Sequence, residues 1–381
     1  MSAWLLPDHI ADVLPSEARQ IEELRRQLLD VCRRHGYEMV MPPLVEHLQA
    51  LLSGTGRDRE LDTFQMVDQL SGRTLGIRAD ITPQVARIDA HLLNRQGTAR
   101  LCYCGPVLHT RVSRAGASRE PLQLGAEIFG HAGLHADLEA LDLSLALMQE
   151  AGLSEVQLDM GDARLFPAVV AGLNLSEATL NALRTALLTK SSPGLKAAAQ
   201  GLPAPVTDAL AYLMQAYGDR ALLDEARQAL AAFPMALQAL DDLAWLTRHL
   251  TCDLSFDLAD LSGYAYYSGV RFAAYVPGCS DAVLRGGRYD EVGAVFGRKR
   301  PAVGFSLDLK TWVQFTPEAS PNLAIRAPWG EDPELREVIA RMRGQGHTVV
   351  CVLPGRESEV DEFQCDRELI RVADRWVVQS L

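Results

Sequence analysis

"VLHTRVSRAGASREPLQLGAEIFG", residues 107–130, joins two apolar runs through a Gly- and Ser-containing loop that carries Arg111, Arg114 and Arg119. The runs, Leu101 to Leu108 and Leu122 to Phe129, have the length and composition of strands, so the loop reads as the link between antiparallel neighbours. Three arginines at one end of a sheet raise the question of a phosphate grip. The strand after the loop has another character. Period-two alternation sets Gln123 and Glu127 on one face, and Leu122, Leu124 and Ile128 on the other. The first face then lines a polar cavity or meets solvent, and the second belongs to the core.

Outward from this pair, the pattern predicts an α+β chain. Upstream, Ser16 caps a helix whose Ile21, Leu24, Leu28 and Val31 recur at helical spacing, and Gly36 closes it. A strand at "YEMVM" stops at Pro42-Pro43, a hairpin pairs Phe64–Val67 with Thr74–Ile77, and Thr82-Pro83 opens a second helix. Downstream come a helix near Asp137 to Ala151 and a strand at "VQLDM". From about 163 to 250 the composition shifts to Ala and Leu, and Leu210, Leu213, Met214 and Tyr217 form an amphipathic stripe, which predicts a helical insertion. Strands resume at "DLSFDL", "GYAYYSGVRFAAYV", "AVLRGGRYD" and "AVGFSLDLKTW", so the sheet continues beyond it. The Pro- and Gly-containing stretch "SPNLAIRAPWGEDPE" marks a boundary between residues 1–320 and a small α/β tail, 321–381, with a helix near Pro333 to Arg343 and strands at "HTVVCVL" and "RWVVQ".

Composition narrows the function classes. The 381 residues are 48% hydrophobic and 23% charged, enough for a sizeable core. The 37 Lys and Arg against 49 Asp and Glu give a net charge of −12, opposite in sign to the footprint of a broad nucleic-acid surface. Seven cysteines without a C-x-x-C pair, and the absence of a signal-type apolar run, lead us to expect a reduced cytoplasmic protein without a membrane span.

No nucleotide cradle of the G-x-G-x-x-G or P-loop type and no G-x-S-x-G elbow occurs. His131 and His135, four apart with Asp137 following, would suit a metal on one helix face, but Gly133 between them argues for a loop, and no metal site is expected. Cys102 and Cys104 share a strand face and read as buried, inert thiols. The informative polar residues are Asp80, Thr82, Gln123, Glu127 and the tyrosines 264, 266 and 267. Two carboxylates, an amide and phenols suit a small cationic, hydrogen-bonding ligand such as an amino acid, although a solvated sheet face accounts for the same residues equally well.

At this point the chain resembles the class II histidyl-tRNA synthetase catalytic domain over most of residues 1–315. "GYEMVMPPLVE" resembles that family's dimer-forming first motif and the opening stretch its second, while "GIRADITPQVARI", "LSGYAYYSGVRF", "GGRYDEV" and "AVGFSLDLKTW" follow in family order. The resemblance implies an antiparallel sheet flanked by helices and a dimer, its edge near residues 36–46. It also implies histidine binding, with Asp80, Thr82 and Gln123 at the α-amino group and Glu127 and Tyr267 at the imidazole, beside Tyr266. The departures point away from catalysis. His109, Ser262 and Thr311, the last beside Lys310, stand where the synthetases carry arginines or their Glu-Arg pair. A permanently charged planar fork is not reproduced by serine or threonine, and the loss of one such group slows a reaction ~10² to 10³-fold.

Histidine recognition kept and activation lost is the pattern of the regulatory-subunit family of ATP phosphoribosyltransferase, which the whole chain resembles. That resemblance implies a non-catalytic role in the first step of histidine biosynthesis, without cofactor or tRNA. It further implies a hetero-octamer with a short-form catalytic subunit and feedback regulation by L-histidine. The rival reading is a divergent histidine-activating ligase acting on a non-tRNA acceptor; a free-standing histidine sensor is a third. The opening loop would on this reading be a remnant of a phosphate site.

Overall fold

The computed structural model describes residues 5–52, 61–112, 117–261, 266–317, 322–355 and 363–381. The chain forms two compact units, one of residues 1–12 and 21–317 and one of 13–20 and 318–381. Helix α1 (Pro15–Arg34) buries Ile21, Leu24, Leu28 and Val31 as their spacing requires. It starts one residue earlier than the expected Ser16 cap: Pro15 takes the first position, where its missing N–H costs nothing, and Ser16 lies inside the first turn. Then follow β1 (Glu38–Met39), β2 (Val45–His47), α2 (Leu48–Leu52) and the hairpin of β3 (Phe64–Val67) and β4 (Thr74–Ile77), which with β2 makes a three-stranded sheet. Helix α3 (Thr82–Arg87) runs into a π-helical turn, Ile88–Leu93.

The main sheet is built from β5 (Ala99–Pro106), β6 (Leu122–Phe129), β7 (Gln157–Asp162), β8 (Tyr217–Gly218), β9 (Asp253–Asp257), β10 (Val270–Tyr275), β11 (Leu284–Arg288) and β12 (Ala302–Asp308), together with β1. Its nine strands lie in the order β1-β5-β6-β12-β11-β10-β7-β9-β8. Pairing is antiparallel through the centre, as the alternation at 122–129 requires, and parallel only at β1 with β5 and β7 with β9. Helix α4 (Leu134–Glu150) precedes β7. The insertion holds α5 (Leu165–Val170), α6 (Glu177–Leu188), α7 (Ser192–Ala198), α8 (Ala204–Gln215), α9 (Leu222–Ala229) and α10 (Pro234–Thr247). It is not purely helical, because Tyr217, assigned by spacing to a helical stripe, belongs to β8 and pairs with Asp257. A short helix, α11 (Leu309–Trp312), closes this unit's chain; a core of Ile81, Val85, Leu101, Phe129 and Tyr289 packs around β5 and β6.

The smaller unit is a four-stranded sheet in the order β14-β13-β15-β16, from β13 (Asn322–Pro328), β14 (Val349–Val352), β15 (Phe363–Val372) and β16 (Arg375–Ser380), with α12 (Pro333–Gly344). Ile325, Leu335, Val338, Val349 and Leu369 form its core. Two of its strands escape the sequence reading: β13 lies inside the stretch taken for a boundary, and β15, "FQCDRELIRV", is too charged to stand out as a strand. Among the described residues no helix is long and apolar enough to cross a membrane.

Candidate functional site

The strands facing Glu127 explain why a cavity forms there. Across β5, β6, β12, β11 and β10 the residues directly opposite one another are Leu101, Glu127, Gly304, Gly287 and Arg271. Opposed residues share a face, so the two glycines leave the sheet floor between Glu127 and Arg271 without side chains. A Cβ on Gly304 would stand 1.7 Å from a Glu127 carboxyl oxygen and 2.4 Å from the Ala126 carbonyl; one on Gly287 would meet the Tyr267 ring at 2.9 Å. Over this floor lies a cavity of about 450 Å³ walled by Asp80, Thr82, Glu127, Tyr266, Tyr267 and Tyr289.

Glu127 is 1% exposed. Its Oε1 accepts hydrogen bonds from Thr82 Oγ1 at 3.0 Å and Tyr103 OH at 3.0 Å, and its Oε2 accepts one from Tyr289 OH. Thr82 and Tyr103 also share a bond of 2.8 Å. Burial dominates the titration and pushes the carboxyl up to about 8; the bonds from Tyr289, Tyr103 and Thr82 oppose that rise and the charge of Asp80 adds to it. The Tyr103 and Tyr289 phenols are raised well above their ordinary value, first by burial and then by Glu127, and burial carries Tyr267 to about 12. A buried carboxyl that titrates near neutrality and is ringed by hydroxyls can meet either a neutral N–H donor or a cation. With Glu127 and Gln123 both buried and Glu127 lining a cavity, this face of β6 is not a solvated one.

Beside it, Asp80 Oδ1 accepts from Gln123 Nε2 at 2.8 Å and from the Thr82 backbone N–H at 3.1 Å, while Gln123 Oε1 accepts from the Ile81 N–H at 2.9 Å. Gln123 thus holds Asp80 at the mouth and borders a neighbouring cavity rather than the Glu127 chamber itself. Tyr266 and Tyr267 join the wall as expected, yet not from a strand: β10 begins only at Val270. The tyrosines precede Ser268 and Gly269, where the Ser268 N–H donates to the Arg288 carbonyl at 2.7 Å and its hydroxyl accepts from Asp290 N–H at 2.9 Å.

The neighbouring cavity, about 520 Å³, is lined by His109, Lys310 and Thr311 among others, and shares Asp80, Arg285 and Ser306 with the first. Here the polar side chains turn to the protein's own groups. His109 Nε2 meets the Ala79 carbonyl at 2.9 Å, Thr311 Oγ1 donates to Asp308 Oδ2 at 2.8 Å, and Asp308 Oδ1 accepts from the Leu122 and Lys310 N–H groups at 2.9 and 3.1 Å. Arg111 pairs with Asp62 at 2.8 Å, and Arg119 donates to the His109 carbonyl at 3.0 Å while lying over the Phe64 ring. Arg114, Ser262 and Tyr264 lie outside the described residues. At the other end of β6, Asp137 is bonded to Arg288 at 2.5 Å, and the His131 and His135 rings meet edge to face.

Sequence reasoning missed Tyr103, Tyr289, Arg271, Arg285 and the gap at Gly304. Tyr289 stood in the quoted "GGRYDEV" block, and the Gly-Gly before it was the available signal for an open floor.

Comparison with known proteins gives the following likenesses. Residues 9–312 match the family model described as histidyl-tRNA synthetase, and residues 321–379 the one described as ATP phosphoribosyltransferase subunit HisZ C-terminal domain. The chain is 60% identical to the ATP phosphoribosyltransferase regulatory subunit of Variovorax paradoxus (strain S110) over the full length of both. It is 54% identical to that of Ralstonia nicotianae, covering all of this chain and 98% of that protein. A crystal structure of an ATP phosphoribosyltransferase regulatory subunit/histidyl-tRNA synthetase from Bacillus halodurans superposes with a TM-score of 0.83 at 25% identity, over 96% of this chain and 98% of the other. The histidyl-tRNA synthetase of Nostoc sp. PCC 7120 shares the fold, with a TM-score of 0.78 at 18% identity over 99% and 94%. The α+β class II synthetase-like architecture follows from both.

Proposed function

Since the chain belongs to the family of ATP phosphoribosyltransferase regulatory subunits, we propose that it serves the first step of histidine biosynthesis as the non-catalytic partner of the catalytic subunit, and that L-histidine acts on it as feedback effector. The Glu127 chamber carries the effector part of this reading: a buried, titratable carboxyl among hydroxyls, with Asp80 at the mouth, is complementary to an imidazole followed by an α-ammonium group. In the bound state Glu127 receives the imidazole N–H, Asp80 with Thr82 and Gln123 receives the ammonium, and Tyr266 and Tyr267 wall the ring. His109 and Thr311, bonded to Ala79 and Asp308, supply no permanent cation for a transferring phosphate, which supports a role without adenylation or tRNA charging.

The rest of the assignment is of the same kind: a dimer that joins the short-form catalytic subunit in a hetero-octamer, in the cytoplasm, with residues 1–320 as the effector-binding domain and 321–381 as a separate C-terminal domain. Feedback then requires a coupling free energy of ~1 to 3 kcal/mol between histidine here and substrates on the partner, and the coupling is reciprocal for binding.

The test is co-purification with the catalytic subunit followed by histidine titration of its activity. Glu127→Ala is expected to weaken histidine binding and relieve inhibition while the complex still assembles; inhibition unchanged in that variant would put the effector elsewhere. Histidine- and ATP-dependent pyrophosphate exchange by this chain alone would show it to be a ligase instead.

A further inference from the structure

An amino acid presents a carboxylate as well as an ammonium group, and the groups so far assigned to the ligand are acceptors, hydroxyls and an amide. Two cations border the Glu127 chamber, Arg271 and Arg285. Arg271 is 5% exposed, its guanidinium is bonded to Asp260, and its Nε lies 3.1 Å from where a Gly161 Cβ would stand. It is a buried pair within the sheet and is turned toward β7. Arg285 is also paired with an aspartate but differs in exposure and in the cavities it borders. It is exposed, it borders both cavities, and its Nη2 is clamped by Asp281 Oδ1 at 2.5 Å.

We infer that Arg285 anchors the carboxylate of the amino-acid ligand and so separates L-histidine from imidazole compounds that lack one. The inference rests on the reading of the Glu127 chamber given above. Arg285 lies opposite Ser306, which lies opposite Gly125, placing it on the same sheet face as Glu127, two strands across and two residues along. Ideal sheet spacing makes that roughly 12 Å between Cα atoms. The floor between them is formed by Gly287 and Gly304, so an elongated ligand can lie across it with its ring at Glu127 and its opposite end under the arginine. The guanidinium has five N–H donors in a planar fork, more than its bond to Asp281 uses, and the fork matches a carboxylate in two parallel bonds. Its charge reaches into the chamber, where it opposes the rise of the Tyr267 phenol.

The test is titration calorimetry of the full chain with L-histidine, L-histidinol and histamine. Arg285→Gln is expected to weaken L-histidine roughly 10- to 100-fold, the range of a lost charge-assisted bond, and to leave histidinol and histamine within about twofold. Retained histamine binding also shows that the chamber is intact. Arg285→Lys, which keeps the charge and loses the fork, should fall between the two. Unchanged L-histidine affinity in Arg285→Gln, with Glu127→Gln weakened, overturns the inference and leaves the chamber reading standing; so does equal loss of all three ligands in Arg285→Gln and Arg285→Lys alike. If Glu127→Gln and Arg285→Gln both bind L-histidine as the parent does, the chamber reading itself is lost.

Discussion

The two adjoining cavities are of similar volume and share three residues, yet their polar groups are spent differently. Around Glu127 the hydroxyls of Thr82, Tyr103 and Tyr289 converge on one buried carboxyl over a bare glycine floor. Around His109 and Thr311 each polar end is tied to a neighbouring carbonyl or carboxylate of the protein itself. The difference is not one of volume: the first cavity concentrates hydrogen-bonding groups on a single buried carboxyl, and the second disperses them.

The contrast can be broken most severely at its floor. In Gly304→Ala the new methyl would meet both a Glu127 oxygen and the Ala126 carbonyl, and the backbone partner cannot swing away. We expect histidine binding below detection by calorimetry and a loss of about 1–3 kcal/mol or more in denaturant unfolding, the usual range for overpacking. Next, Glu127→Gln removes a charge-capable acceptor and should weaken histidine roughly 10- to 100-fold.

The same variant sharpens the comparison through pH. The folded-state value of Glu127, about 8, lies above its ordinary 4.5. Between these values the folded protein holds a proton that the unfolded chain has released, so raising the pH favours unfolding. Chemical denaturation across this window should show the parent losing stability from about pH 4.5 upward through 8, and Glu127→Gln losing less.

A smaller effect is expected in the binding itself. The bound pair of imidazole and Glu127 shares one proton, whereas the separated pair carries two below the imidazole value of roughly 6.5 and none above the Glu127 value of about 8. Histidine affinity should peak between those limits and fall by up to about tenfold per pH unit outside them, as calorimetry at stepped pH would record. The smallest effect belongs to the second cavity: Thr311→Val should reduce stability by about 1 kcal/mol or less in thermal melts and leave histidine affinity within about twofold, because Asp308 keeps its bonds from Leu122 and Lys310. A large loss of affinity there would erase the distinction between the cavities.

How far the sequence could be read follows the range of the forces involved. Alternation along β6 assigns Gln123 and Glu127 to one face because a strand's period is local. It says nothing about what covers that face, and the two tyrosines on Glu127 come from 24 and 162 residues away. The aromatic run at 263–276 reads as one strand by propensity, whereas among its described residues the strand begins only at Val270 and Tyr266 and Tyr267 precede it, a boundary with no local signature. The face of Gln123 is likewise local, but its bonds to Asp80 and to the Ile81 N–H depend on the loop before α3, 42 or more residues away in the chain. The hairpin at 64–77 was legible to the residue because its turn and strands are contiguous.

The helical insertion leaves the sheet at the end of β7 and returns on β9, its parallel neighbour, so in space the excursion begins and ends on adjacent strands. Such a segment looks removable, as loops with nearby ends are often shortened without harm. Strand β8 alters that conclusion, since it comes from within the insertion and covers the outer side of β9. Excision would leave β9 with unpaired backbone groups facing solvent, the template on which sheets of different molecules join. A trimmed version of this protein would thus meet its difficulty in solubility before it met one in the chamber around Glu127.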